Sequence, residues 1–278
     1  MTGSTPRQQL FLNTVILGGS AEGKLRAAHE AGFDAVELWD RDVTGELGGP
    51  AGARGVLRGL GMQVTDYQVL LNFDGTTQRA AKRAEALELL ERMAEVGAPM
   101  LVVSASFDEH AGGSLARIAE DLDWIAAAAG QRELRVAYEP MAWSRWVSTL
   151  PEAAALLARV NRPNLGLVVD SFHLLLRDRP VEEVAAIPAE RIFLVQLADS
   201  ALRPGERDLT AEAYMQQGRH ARLLPGEGCL PVRALAEVLR GGGYAGPVGI
   251  EVFNDRLSAA DPAVVARDAM ASLRRLGF

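Results

Sequence analysis

Four apolar stretches of this sequence each close on a side chain that carries oxygen: LRVAYE ends at Glu139, LGLVVD at Asp170, IFLVQ at Gln196 and PVGIE at Glu251. Each has the length and aliphatic content of a strand buried on both faces, which must deliver its polar residue at one end. Three carboxylates and one amide oxygen make a hard, oxygen-only donor set. It suits Mg²⁺ or Mn²⁺ better than copper, and Zn²⁺ less well because no thiolate or imidazole is required, with Co²⁺ and Zn²⁺ kept as alternatives. Taken singly, each acid is more simply a helix cap or an ion-pair partner. Four at equivalent places argue otherwise, because converging carboxylates without a cation repel and raise one another's pKa values. His173 follows Asp170 by three residues. One turn beyond a strand end, it points to the same place and is a candidate general acid or base; the plainer alternative is a loop histidine bonded to a backbone carbonyl. His29 and His110 read as inert surface residues.

Arginine grips carboxylate or phosphate through two parallel hydrogen bonds, so Arg145, Arg219 and Arg222 are candidates for holding an anionic substrate. Arg222, close to Pro225-Gly226, is preferred. Trp143 and Trp146 read either as pocket walls or as packing residues, and Cys229 as incidental. Gly18-Gly19-Ser20-Ala21-Glu22-Gly23-Lys24-Leu25 nearly matches the phosphate-cradling GxxxxGK[ST] loop. Leu25 stands where a hydroxyl must bind Mg²⁺. A nucleotide hydrolase is the reading that segment offers, against a tight glycine turn at Gly18 and Gly19.

Strand-like and helix-like runs alternate along the chain, which predicts parallel βα units. The strands are expected at Leu10 to Leu17, Phe33 to Trp39, Met62 to Val69, Met100 to Ser104, Leu134 to Glu139, Leu165 to Asp170, Ile192 to Leu197 and Val248 to Phe253. Amphipathic stretches follow them, several opening with a first-turn proline, as at Pro151 and Pro231, or closing on Gly61 or Gly97. Eight such units predict a single (β/α)8 TIM barrel over residues 1–278, with a doubly wound open sheet as the other architecture. In a barrel the four oxygen-bearing ends lie along one arc of the mouth. Residues 1–9 read as a flexible start. The connection from Asp199 to Leu230 runs to about thirty residues, where ~2–6 is usual for a βα loop, and reads as a lid over the site.

A hydrophobic fraction of 48% supports a large core, and no run approaches the ~20 apolar residues of a membrane span. The polar start lacks the order of a secretory signal, and one cysteine forbids an internal disulfide, so a cytoplasmic location is expected. A net charge of −7 without a basic block disfavours nucleic acid. The two lysines, Lys24 and Lys82, lie in helical stretches, away from the strand ends where Schiff-base chemistry would need one.

With these segments the sequence resembles the xylose-isomerase-like barrel superfamily of sugar isomerases, epimerases and dehydratases. The resemblance rests on Ala31-Gly32-Phe33-Asp34-Ala35-Val36-Glu37-Leu38, Tyr138-Glu139, Val169-Asp170-Ser171-Phe172-His173, Phe193 to Asp199, Arg222 with Pro225-Gly226-Glu227-Gly228, and Glu251 to Asp255. It is nearest to the bacterial 3-dehydroshikimate dehydratases, since isomerases and epimerases more often place His where Gln196 stands. The resemblance implies a divalent ion held by Glu139, Asp170, Gln196 and Glu251. It also implies catalysis by His173 with Glu139 and Glu251, and substrate contacts from Glu37, Gln68, Arg219 and Arg222. The expected reaction dehydrates 3-dehydroshikimate or a similar cyclic hydroxy-ketone to protocatechuate. Leu71 where those dehydratases tend to carry Arg, Trp146 for His, and Gly218 for Ser depart from that pattern. A metal-dependent isomerase or epimerase of ketose, hydroxypyruvate or inosose type is the alternative, and a non-catalytic sugar-binding barrel the third. The expected partner is a small molecule, and self-association is compatible with the reading.

Overall fold

The computed structural model describes residues 8–108 and 114–278; the readings of His110 and of residues 1–7 as a flexible start fall outside them. Among the described residues eight parallel strands close into a barrel in sequence order. They are β1 (Leu10–Asn13), β2 (Ala35–Trp39), β3 (Gln63–Leu70), β4 (Met100–Ser104), β5 (Arg135–Glu139), β6 (Leu165–Asp170), β7 (Ile192–Leu197) and β8 (Val248–Ile250). β8 pairs back onto β1 with Leu10 opposite Val248 and Leu12 opposite Ile250, which excludes the open sheet.

The expected limits hold for β4, β6 and β7, whose every residue is buried. β1 stops early because the Asn13 side chain accepts the Val15 N–H and opens a 3-10 turn over Thr14–Ile16. β8 stops at Ile250, so Glu251 follows the strand rather than closing it.

Strand alternation positions the site. Successive side chains point to opposite faces, so a residue two places beyond an interior residue also faces the interior. Phe11, Ala35, Val102, Ala137, Val168 and Leu194 belong to one packed interior cluster. Two residues on stand Asn13, Glu37, Ser104, Glu139, Asp170 and Gln196, all buried. Phe11 and Phe193 fill the interior below because Gly166 and Gly249 leave room: a Cβ at either would overlap the facing ring. The register shift between Leu167 and Val168 admits Phe193.

The helices lie outside the barrel. Thr149 and Glu152 form a reciprocal capping box with Pro151 in the first turn, and helices end at Gly61 and Gly97 in left-handed conformations. Among the described residues, no helix is long and apolar enough to cross a membrane.

The connection from Asp199 to Leu230 holds a helix, Ala211–His220, capped by Thr210. One buried acid organises it: Asp199 accepts the N–H groups of Ser200 at 2.7 Å, Leu230 at 2.9 Å, Gly226 at 3.0 Å and Gly228 at 3.1 Å. Asp199→Ala leaves these donors without their acceptor and is expected to cost about 1–3 kcal/mol. In amide exchange, protection at Gly226, Gly228 and Leu230 should fall ahead of the barrel strands. Unchanged protection at those three would show that the segment is held by its apolar contacts instead.

Candidate active site

Glu139, Asp170 and Gln196 sit at the carboxyl ends of β5, β6 and β7, with Glu251 just after β8, all buried. Asp170 and Glu251 accept hydrogen bonds on both carboxylate oxygens, Glu139 on one. Asp170 is indeed a helix cap, its Oδ1 accepting the Phe172 N–H at 2.6 Å; its Oδ2 accepts from Arg222 Nη1 at 2.8 Å. Glu139 Oε2 accepts from Ser104 Oγ at 2.9 Å, leaving Oε1 3.6 Å from His173 Nε2. Glu251 Oε1 accepts from Asn13 Nδ2 at 3.0 Å, Gln68 Nε2 at 2.8 Å and Gln196 Nε2 at 3.2 Å. Its Oε2 accepts from Arg222 Nη1 at 3.0 Å.

Crowding of buried acids sets the electrostatics. Burial, then repulsion from Glu251 and Asp170, pushes Glu139 well above the usual carboxylate range. Burial likewise pushes Glu251 up to about 7. Asp170 goes the other way: against its burial, the Arg222 guanidinium and then His173 hold it below the ordinary value.

A divalent cation fits these residues. Gln196 Oε1 is buried with no hydrogen-bond partner among the described residues, as suits an oxygen meant for another electron acceptor. Glu139, Asp170 and His173 offer ligand atoms within 4.8 Å of one another. Three carboxylates against the single Arg222 charge leave two negative charges for a dication to balance.

That compact trio contains His173 where the sequence reading has Gln196 and Glu251, and tautomer chemistry separates the two sets. His173 Nδ1 accepts the Ala142 backbone N–H at 3.1 Å, while Nε2 has Arg222 Nη2 at 3.4 Å. A neutral ring has one lone pair for two facing donors; the shorter backbone contact takes it, so Nε2 carries the proton. Burial pulls the His173 pKa down to about 3, which keeps the ring neutral. A protonated Nε2 is a hydrogen-bond donor and not a metal ligand. This departs from a simple general acid or base, because the ring neither gains nor loses charge easily.

A cavity of about 100 Å³ adjoins these groups, lined by Gln68, Glu139, His173, Arg219, Arg222 and Glu251 among polar residues and walled by Trp39, Phe107, Trp143 and Phe253. Gln68 and Arg219 both line this cavity. Arg222 reaches it with its guanidinium already committed: besides Asp170 and Glu251, Nε donates to Gly218 O at 2.8 Å, and the group lies 4.5 Å from the Phe172 ring and 5.2 Å from that of Phe253. Arg219, exposed and 5.7 Å from the Phe107 ring, has no ion pair among the described residues. Glu37 does not line the cavity; fully buried, it lies against the amides of Gln68 and Gln196.

Trp143 packs edge-on to His173 at 4.6 Å. A Cβ at Gly218 would collide with the Trp143 ring, so the missing side chain there and the tryptophan wall go together. Leu71 joins the wall, whereas Trp146 packs against the core outside the cavity. Arg145 lies in a separate open groove of about 800 Å³ that shares Phe107 and Trp143. The phosphate-loop reading fails, because Lys24 is buried in an ion pair with Asp42 at 3.2 Å. Asn13, Ser104 and Asp66 escaped the sequence reading. Alternation from Phe11 and Val102 marks the first two; Asp66 carries no such mark, since β3 shifts register between Val36 and Glu37 of its partner.

A family model described as Xylose isomerase-like TIM barrel matches residues 25–276. The chain is 35% identical over 269 residues to the 3-dehydroshikimate dehydratase of Pseudomonas aeruginosa, covering 95% of this chain and 41% of that protein. It is 28% identical over 319 residues to the 3-dehydroshikimate dehydratase of Neurospora crassa, covering 94% and 89%. A solved xylose isomerase-like TIM barrel/4-hydroxyphenylpyruvate dioxygenase fusion protein superposes with a TM-score of 0.90 at 30% identity, over 97% of this chain and 42% of that one. The chain therefore spans well under half the length of the Pseudomonas relative and of the fusion protein.

Proposed function

The chain belongs to the xylose isomerase-like TIM barrel family, and from that premise we propose that it is a divalent-metal-dependent dehydratase of 3-dehydroshikimate or a similar cyclic hydroxy-ketone, forming protocatechuate. The observation that carries the reading is a small cavity with aromatic walls that ends on buried acids: the walls suit a ring that becomes planar, and the acids suit proton removal beside a ketone. Likeness over 95% of the chain to a protein named as that dehydratase supports it.

Glu139, Asp170, Gln196 and Glu251 would hold the ion, Mn²⁺ or Mg²⁺ by their oxygen-only chemistry. When bound, it supplies Lewis-acid polarisation of the ketone oxygen. Arg219, a cation that lines the cavity and has no ion pair among the described residues, meets the substrate carboxylate. Glu139, with its raised proton affinity, removes the proton α to the ketone. His173 supports the β-hydroxyl through Nε2–H without changing charge. The proton taken up by Glu139 completes the departing water, so one hydrogen and one hydroxyl leave together, and loss of a ring proton to the ketone oxygen completes the aromatic product. Trp143 and Phe107 exclude bulk water.

The second reading is an isomerase or epimerase that moves a proton across an enediolate. It is favoured by Glu251, which lines the cavity with Glu139 and is also raised, to about 7. The exposed free Cys229 accords with a reducing cytoplasm.

Incubated with Mn²⁺ or Mg²⁺ and 3-dehydroshikimate, the protein is expected to generate a new aromatic ultraviolet band. If no aromatic product forms at high enzyme concentration while the same sample interconverts a ketose or hydroxypyruvate, the dehydratase reading is rejected in favour of the isomerase.

A further inference from the structure

Beneath the candidate ligands lies a layer that the reaction just described does not use. Gln196 Nε2 donates to Glu37 Oε1 at 2.6 Å and to Glu251 Oε1 at 3.2 Å. Gln68 Nε2 donates to the same two oxygens, at 2.8 Å to Glu251 and through a short contact to Glu37. Both hydrogens of each amide nitrogen therefore have an acid oxygen to meet. With its nitrogen held on that side, the amide of Gln196 has its oxygen turned away, and that oxygen is buried without a hydrogen-bond partner among the described residues. Turning the amide over would set oxygen against two acid oxygens and leave both N–H groups without acceptors, a loss on every contact. Behind Glu37 stands Asp66, fully buried and next to it in register across β2 and β3; Glu37 Oε2 and both Asp66 carboxylate oxygens have no hydrogen-bond partner among the described residues.

We infer that Glu37 is a positioning residue for the cation site: its Oε1 fixes the amide of Gln196 so that the oxygen, and not the nitrogen, is presented to the ion. This rests on the divalent-ion reading above. Metal ligands are commonly oriented by such outer partners, whose removal typically lowers affinity about 10–100-fold. What Glu37 must supply is an acceptor at one point, and neither its charge nor its bulk. The two substitutions Glu37→Gln and Glu37→Leu separate these roles. A glutamine keeps a carbonyl oxygen at that point while its amide nitrogen donates to Asp66. A leucine keeps volume and removes the acceptor.

Mn²⁺ titration of the whole chain by calorimetry, with melting curves to confirm folding, tests the inference. Wild type should bind Mn²⁺; E37Q should bind within about threefold of it, and E37L about 10–100-fold more weakly. Wild-type affinity in E37L overturns the positioning role while leaving the cation reading standing. Equal weakening in E37Q and E37L assigns the effect to charge and also overturns it. No Mn²⁺ binding by wild type removes the cation reading and the inference with it. If E37L does not fold, Glu37→Ala, which also lacks the acceptor, is measured in its place with the same expectation.

Discussion

Arg222→Met is expected to destabilise the metal-free protein by about 3–5 kcal/mol, the usual loss when one partner of a buried ion pair is removed. The side chain is almost wholly buried, at 2% exposure, and its Nη1 bridges Asp170 and Glu251 at 2.8 and 3.0 Å. Methionine retains much of the packing between Phe172 and Phe253 but none of the charge. Asp170, Glu139 and Glu251, all buried, are then left to repel one another. Chemical denaturation of wild type and variant in chelator measures the difference. Divalent ion should restore part of the loss, because a ligand at a hundred times its Kd contributes about 2.7 kcal/mol. A variant that kept wild-type stability and showed only a raised KM would return Arg222 to the substrate-anchoring role that its sequence context suggests.

That contrast shows where sequence reasoning stops. The eight strands are legible because parallel strands buried on both faces leave continuous apolar runs, and the oxygen-bearing ends of β5, β6 and β7 are legible because each run stops on one residue. Which groups those ends meet is a property of closure. Arg222 reaches Asp170 and Glu251 only because a segment from the far side of β7 folds back across the mouth, and nothing local encodes that path. The helix Ala211–His220 within that segment was missed for a related reason. It buries only Tyr214 and Gly218, so it has almost no apolar stripe to read. Glu37 shares the parity of the site residues but not their depth. β2 continues two residues past it, to Trp39, whereas Glu139 and Asp170 are the last residues of their strands. Counting from the end of the strand would have placed it one layer down, behind the ligands and away from substrate.

His173→Ala is expected to keep the metal and to lower kcat about 10²–10³-fold, within the range for a group acting directly on a reacting atom. The distinctive expectation concerns His173→Gln. If the ring works as a neutral Nε2–H donor, its lone pair held by the Ala142 N–H at 3.1 Å, a glutamine amide reaching a similar point can donate in its place. A group that must accept and release a proton has no such substitute. His173→Gln should therefore regain at least about tenfold over alanine, because one hydrogen bond to a charge-bearing oxygen is worth ~1.5–3 kcal/mol. Metal content should be equal in all three proteins. Loss of metal from the alanine variant would instead make His173 a ligand alongside Glu139 and Asp170, in line with their mutual approach within 4.8 Å. Retained metal with glutamine no better than alanine would reject the neutral-donor role and return His173 to proton transfer, requiring the ring to exchange its Ala142 contact for a proton during each turnover.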